Sequence, residues 1–428
     1  MLTVASVTAL GLVLAACGNG GDDEVHYDRW DVDLPGQTVS VMGTWSSNEQ
    51  AALMAVVQLW MDATGATIEL INSPDLAADL ADRYAAGNLP DIAGFPSAGL
   101  LREWFDIGAL QPLGFVDLEY YNRMTPGGFG DLGMSEDGDL MGVLWRADVS
   151  GLVFYNVNYW EGAPTTFAEL NAITASIRPG NSITWCITVE SGATSGWPGA
   201  DWIENILLRQ AGPEVYDRWA DGSLEWTAPE VHQAWVTFGD ILSATDGGPE
   251  WIVTTNFGQV GDELFTDPSG CLLVQQRASI ADYFITESGV QPDEFSFFVL
   301  PTINEQVSSA LIGDGEFMGM FSGTPAARSL IQWLITADAQ QSWVSAGSGV
   351  AANTGVSLET YLDEVTRGAA HLLRSTEMLR FSASSMMPPL VSDAFNRGII
   401  AFIENPDDLD AILASIETVR LDAEDAAG

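Results

Sequence analysis

The sequence predicts an α/β protein of two lobes, each a mostly parallel sheet flanked by helices, with a cleft between them. Three observations carry this expectation. Strand-like and helix-like stretches alternate in two regions of similar size, one starting near residue 38 and one near residue 151. The strand-like stretches are short, nearly uncharged and rich in β-branched residues, as strands covered on both faces are. The chain has 428 residues, more than one core usually holds together.

Residues 38–45, "TVSVMGTW", read as a buried strand. Ser46 and Glu49 form a capping box, and apolar residues then recur at helical spacing up to the Gly65 stop. The strand "ATIELIN", the helix "DLAADLADRYAAG", the strand "LPDIAGF" and the helix "AGLLREWFDIGAL" complete a βαβαβ unit. Asp137-Gly138 marks a hairpin turn. The second region opens with the strand "GLVFYNVNYW" and the helix "TFAELNAITASIR". The strand "SITWCITV" and the helices "GADWIENILLRQAG" and "PEVHQAWVTFGDIL" follow. "GCLLVQQRASIADYF", "FSFFVLPTI" and "ALIGDGEFMGMF" each contain a strand, and residues 324–347 read as one helix. The last hundred residues are mainly helical.

With 15 basic and 59 acidic residues the net charge is −44, and every basic residue is Arg. So acidic a surface disfavours nucleic acid and anionic lipid as partners and favours solubility, including in a salty medium. The 15 Trp and 18 Phe supply a sizeable core and exclude disorder by composition.

Residues 1–16 are apolar throughout, too short for a comfortable membrane span but suited to an export signal. "LAAC", residues 14–17, resembles a bacterial lipobox, in which cleavage precedes a cysteine that receives lipid. No Lys or Arg precedes the apolar run, a departure from the usual signal. The expectation is a signal peptide at 1–16, lipidation at Cys17, and a Gly-rich acidic tether at 17–36. The protein is then extracytoplasmic and touches the membrane only through its lipid. In that oxidising compartment Cys186 and Cys271 are an even pair and a disulfide candidate, with two separate buried thiols as the alternative.

Catalytic and metal signatures are scarce. His26, His232 and His371 are scattered outside metal-ligand spacing, so no metal and no cofactor is expected. There is no G-x-S-x-G elbow, and a P-loop would need a lysine that the chain lacks. Among so many acids no carboxylate pair stands out, although a glycosidase pair stays open as an alternative. What does stand out is aromatic residues beside acids. Trp197, Asp201 and Trp202 lie at the start of a helix after a bare Gly/Pro loop. An aromatic face suits the C–H face of a sugar ring, and carboxylates suit its hydroxyls. Trp197 reads as a ligand contact, and Trp202 as either contact or core. Trp45 and Glu49 follow the first strand, at the carboxyl end where open α/β sheets bind ligands.

Taken together, "SVMGTWSSNEQAALMAVVQLWMDATG", "LPDIAGFPSAGLLREW", "LMGVLWRADVSGLVFYNVNYWEGAPTTFAEL" and "MMPPLVSDAFNRGIIAFIENPDDLDAILASIE" resemble bacterial extracellular solute-binding proteins. These are the sugar receptors of ABC importers, related to maltose-binding protein. "TWCITVESGATSGWPGADWIENILLRQAGPEVYDRW" is similar to the α-glucoside-binding branch. The resemblance implies a hinge-connected, two-lobed type II periplasmic-binding-protein fold and a monomer that does no chemistry. It implies an interlobe carbohydrate, an α-glucoside or other oligosaccharide, delivered to permease subunits. It also implies that Cys186 and Cys271 pair. Lobe 1 would hold 37–148 and 302–355, and lobe 2 would hold 149–301 and 356–428. The chain would cross between lobes near 147–152, 301–309 and 353–360. Contacts are implied at Trp45, Glu49, Pro96, Ser97, Tyr155, Trp197 and Asp201, with weaker matches at Tyr283 and Ser348. "FSASSMMPP" departs from the branch by lacking an acid after its serine, and the absence of Lys removes a common helper cation. Two aromatic platforms with several hydrogen bonds would give about −8 kcal/mol, roughly micromolar affinity. The alternatives are an exported glycoside-degrading enzyme, or the same fold with a cationic or polyol cargo.

Overall fold

The computed structural model describes residues 29–160, 162–177, 184–245, 247–307 and 310–427. The expected signal peptide, Cys17 and His26 lie outside the described residues. In chain order the strands are β1 (Thr38–Gly43), β2 (Thr67–Asn72), β3 (Ile92–Phe95), β4 (Gly142–Ser150) and β5 (Leu152–Asn156). They continue as β6 (Val274–Gln276), β7 (Phe295–Val299), β8 (Leu311–Met320), β9 (Val350–Ala351) and β10 (Leu379–Phe381).

The first sheet runs β2-β1-β3-β8-β4-β9, with β10 beside the first residues of β8. β1 is parallel to β2 and to β3, as a βαβαβ unit requires, with Val41 opposite both Leu70 and Ile92. Helix Ser47–Thr64 between β1 and β2 has the expected capping box, Ser46 accepting from the Glu49 amide and Glu49 from the Ser46 amide. It buries Leu53, Val56, Val57 and Trp60. The hairpin turn expected at Asp137-Gly138 forms, with Met134 bridged to Leu140.

The second lobe's sheet is short, β6-β5-β7, and wholly antiparallel, not the mostly parallel sheet expected for each lobe, because β6 and β7 both run against β5. Of the strand expected at 182–189, residues 182 and 183 lie outside the described residues, and 184–189 form only isolated parallel bridges, Trp185 to Leu273 and to Thr245. The Cys186–Cys271 disulfide pins this segment beside β6. Helices do the rest of the packing. Trp197–Ala211, Pro229–Leu242 and Pro389–Glu404 bury Trp202, Trp235, Phe238, Phe395 and Phe402, joined by Trp219 and Trp226. Full burial of such side chains is worth about 1.5–3 kcal/mol each.

Three further expectations need correction. The tether is shorter than 17–36: Trp30 packs on Trp333, ring centroids 4.6 Å apart, and Leu34 is buried. The long helix at 324–347 is two, Pro325–Leu334 and Ala337–Ser345, because Thr336 caps the second through its side chain. Residues 356–381 belong to the first sheet's lobe. Helix Glu364–Ser375 packs on β4 and β9, and β10 pairs with β8. The third connection between lobes therefore lies at 382–388, not 353–360. The other two run through Gly151, between β4 and β5, and through 300–310, between β7 and β8.

Candidate functional site: the interlobe cleft

Residues from both lobes line a cavity of about 210 Å³. The first lobe contributes Ser46 and Glu49 at the start of helix Ser47–Thr64, Pro96 after β3, the middle of β4 and β8, and Gly349 with Val350. The second contributes the Trp197 loop, Phe257 and the segment 277–283.

On the first-lobe side, Glu316 of β8 is 3 % exposed and accepts from three residues at once. Trp45 Nε1 reaches it at 3.1 Å, Trp145 Nε1 at 2.7 Å and Arg146 Nε at 2.9 Å. Consecutive strand residues normally point to opposite faces. Here the register of β4 shifts between Leu144 and Arg146, and this bulge lets Trp145 and Arg146 both turn to Glu316. Gly94 on the neighbouring β3 makes the room, since a Cβ there would stand 2.6 Å from Glu316 Oε1. Arg146 also pairs with Glu49. Burial works against the Glu49 charge, but Arg146 and the Ser46 amide outweigh it and hold its pKa below the usual carboxylate range.

The second-lobe side repeats the arrangement. Arg277 grips Asp201 through Nε (2.6 Å) and Nη2 (2.7 Å), and its Nη1 pairs with Asp314 of β8 across the lobes. Its guanidinium also lies over the Trp197 ring, 4.7 Å from the centroid. Trp197 meets Phe257 edge-on at 5.1 Å, and Phe257 meets Tyr283 at 5.0 Å, giving the cleft an aromatic wall. Asp148 and Asp282 complete the lining from opposite lobes. Burial, with Asp363, Glu49 and Asp148 nearby, pushes the Asp282 carboxyl up to about 7. Burial raises Asp314 to about 6 against the pull of Arg277, and raises Asp148 as well.

Of the residues singled out in the sequence, Glu49, Pro96, Trp197 and Tyr283 line the cleft. Trp45 is buried behind it, holding Glu316. Asp201 is buried behind Arg277. Ser97 caps helix Ala98–Asp106 instead of facing the cavity. Ser348 is buried beside the lining residues Gly349 and Val350. One expectation is corrected, at Tyr155, and one open alternative is resolved, at Trp202. Tyr155 packs on Trp160 and Phe298 of its own lobe, because its β5 position faces that lobe's core. Trp202 is core, 1 % exposed between Trp185 and Phe238. Ser384 and Ser385 serve from behind, the Ser384 amide donating to Glu204 and the Ser385 hydroxyl to Asp314. Sequence reasoning missed Arg146, Asp148, Phe257, Arg277, Asp282, Asp314 and Glu316. The one available signal was that two of the few Arg stand beside strand residues, in "LWRAD" and "VQQRAS".

The model of the bacterial extracellular solute-binding protein family matches residues 55–371. The chain belongs to this family. It is a substrate-binding protein of the ABC sugar-importer type, acting outside the cytoplasm. It is 31 % identical over 409 residues to the osmoprotective compounds-binding protein GgtB of Synechocystis sp., covering 92 % of this chain and 94 % of that one. It is 28 % identical over 397 residues to the alpha-glucosides-binding periplasmic protein AglE of Rhizobium meliloti, covering 87 % and 84 %. A solved chitin oligosaccharide binding protein shares the fold at a TM-score of 0.77 and 17 % identity, covering 91 % of this chain and 99 % of that one. The family's two-lobed α/β receptor fold is the architecture described above. Among the described residues no helix is long and apolar enough to cross a membrane, and no three or more His, Cys, Asp or Glu side chains are grouped as a metal site would need.

Proposed function

We propose that this solute-binding protein captures a neutral polyhydroxylated solute, an α-glucoside or other oligosaccharide, in the interlobe cleft and passes it to permease subunits. The observation that carries this reading is the charge balance beside an aromatic wall. Both cleft arginines are already neutralised, Arg146 by Glu49 and Glu316, and Arg277 by Asp201 and Asp314. No cationic charge is left over for an anionic solute. Carboxylates and guanidinium edges remain as hydrogen-bonding partners for hydroxyls, and Trp197, Phe257 and Tyr283 offer apolar faces. The names of GgtB and AglE, one an osmoprotectant binder and one an α-glucoside binder, agree with a sugar or sugar-like compatible solute.

In this reading residues 29–148 together with 310–381 form one jaw, and 152–300 with 389–427 the other. They close on the ligand as a population shift. Ligand contacts are assigned to Trp197, Tyr283, Glu49, Pro96, Asp148 and Asp282. The protein acts as a monomer held at the membrane by lipid on Cys17, and it leaves its cargo chemically intact.

Isothermal titration against α-glucosides, other oligosaccharides and polyols tests the reading. Saturable binding with unchanged sugar recovered afterwards supports it, and no binding to any carbohydrate or polyol refutes it. A cationic cargo is the second reading, favoured by the surplus of acids around Asp148 and Asp282. A polyamine arm in the same titration separates the two.

A further inference from the structure

Helix Trp197–Ala211 carries an unusual load of buried polar groups. Glu204 and Asn205 are 0 % exposed and Arg209 is 4 % exposed, beside the fully buried Ile203, Ile206, Leu207 and Leu208. Buried polar groups add little stability over an apolar helix of the same shape, so their bonds must be sought elsewhere. Those bonds go to the three connections between the lobes. At the first, Asn205 Nδ2 donates to Ser150 Oγ at 2.9 Å, and Ser150 Oγ donates to Asp201 at 3.2 Å. Gly151, in the left-handed region at φ +78°, comes so close that a Cβ would stand 2.1 Å from Asn205 Oδ1. At the second, Arg209 Nε donates to the Leu300 carbonyl at 2.7 Å, and the Asn304 amide donates to the Arg209 carbonyl at 3.1 Å. At the third, Glu204 accepts from the Ala383 and Ser384 amides (3.1 and 2.9 Å) and from the Ser382 hydroxyl (3.2 Å). Arg209 Nη1 donates to Asn205 Oδ1 at 2.7 Å, tying the first clamp to the second. The first turns of the same helix hold Trp197 and Asp201, the residues that position Arg277 in the cleft.

We propose that this helix is the element coupling the cleft to the hinge, with Glu204, Asn205 and Arg209 as its positioning residues. A helix of 15 residues is a rigid rod of about 22 Å. A small shift of its cleft end, when a ligand displaces Trp197 and Arg277, moves all three clamps together. The lobes then have two packed arrangements, between which cleft occupancy chooses. The role does not depend on which solute is bound.

Hydrogen exchange on the full chain, without ligand, tests this. Asn205→Ala removes a side chain that bonds to the first connection, to Arg209 and to the Asp201 carbonyl of its own helix, and makes no bond to the second or third connection. The expected result is exchange faster by about threefold or more at 149–152, 300–304 and 382–386 alike, with the rest of the second-lobe core unchanged. Acceleration confined to 149–152, or spread evenly over the whole chain, would overturn the proposal. If Asn205→Ala does not fold, Glu204→Gln, which keeps the side-chain shape, must give the same threefold pattern. Arg209→Met should also accelerate all three segments, and Arg209→Lys, which keeps a donor, should restore them towards wild type. A Lys variant indistinguishable from the Met variant would count against the clamp.

Discussion

Arg277 is stacked on Trp197 while holding a carboxylate from each lobe, Asp201 of the second and Asp314 of the first. One side chain thereby ties the aromatic wall of the cleft to the contact between the lobes. Trp197 is accordingly not the bare, unpacked ring that its Gly/Pro loop suggests. One of its faces is already covered by a cation.

Trp197→Ala and Trp202→Ala should differ in kind. The first removes a cleft wall, and affinity for the bound sugar should fall by about 1–3 kcal/mol with the melting temperature nearly kept. The second empties a core site between Trp185 and Phe238, and should cost about 3–5 kcal/mol of stability. Titration calorimetry and thermal unfolding read the two effects. Equal losses of stability would make Trp197 a core residue.

Arg277→Met should be severely destabilising, by about 3–5 kcal/mol, because Asp201 and Asp314 would be left as buried charges without a counter-charge. Arg277→Lys should recover only part of this, since an ammonium cannot bridge Asp201 through two parallel bonds. Denaturant midpoints of the two variants check the order.

Removing the Cys186–Cys271 bridge with a double Ser substitution frees a loop of 85 residues. The chain-entropy model puts the loss at about 4–5 kcal/mol. The melting temperature of the double variant, and of the reduced wild type, should fall together. A fall in neither would place the stabilisation elsewhere.

Stability should decline as pH rises from about 4 to about 7. Asp282 is raised to about 7, Asp314 to about 6, and the buried Glu204 also to about 7, each by burial first. In that window the folded state therefore binds more protons than the unfolded state, so deprotonation favours unfolding. Glu49 is shifted the other way, so its contribution is present above its ordinary pKa and is lost as pH falls further. Denaturant midpoints across this range, at fixed salt, should be higher on the acid side. Asp282→Asn should flatten the slope, and an unchanged slope would exclude Asp282 as a contributor.

Cys17→Ser should move the protein from the membrane fraction to the soluble extracytoplasmic fraction. Retention at the membrane would mean that something other than lipid on Cys17 holds it there.

Much of the first lobe is legible from residue order. The capping box at Ser46 and Glu49, the Gly65 and Gly87 stops and the three short apolar strands are local signals, and β1, β2 and β3 follow from them. The second lobe is less legible, because helices and tryptophans carry its core and its short strands lean on a disulfide and isolated bridges. Trp202 and Trp197 stand five residues apart in one helix, yet one is core and the other lines the cleft. Helical spacing alone does not say which face meets a ligand.

Local sequence determined the alternation of strands and helices, the caps, the even cysteine pair and the acidic surface. Each of these is decided by near neighbours or by composition. Only the tertiary structure decided that Glu316 would gather Trp45, Trp145 and Arg146, residues up to 271 positions away. It also decided that Arg277 would bridge the lobes, and that helix Glu364–Ser375 and β10 would join the first lobe. Those outcomes depend on a bulge in β4, on space left by Gly94 and on the desolvation of charges. All three are properties of packed surfaces and leave no periodic trace in the chain.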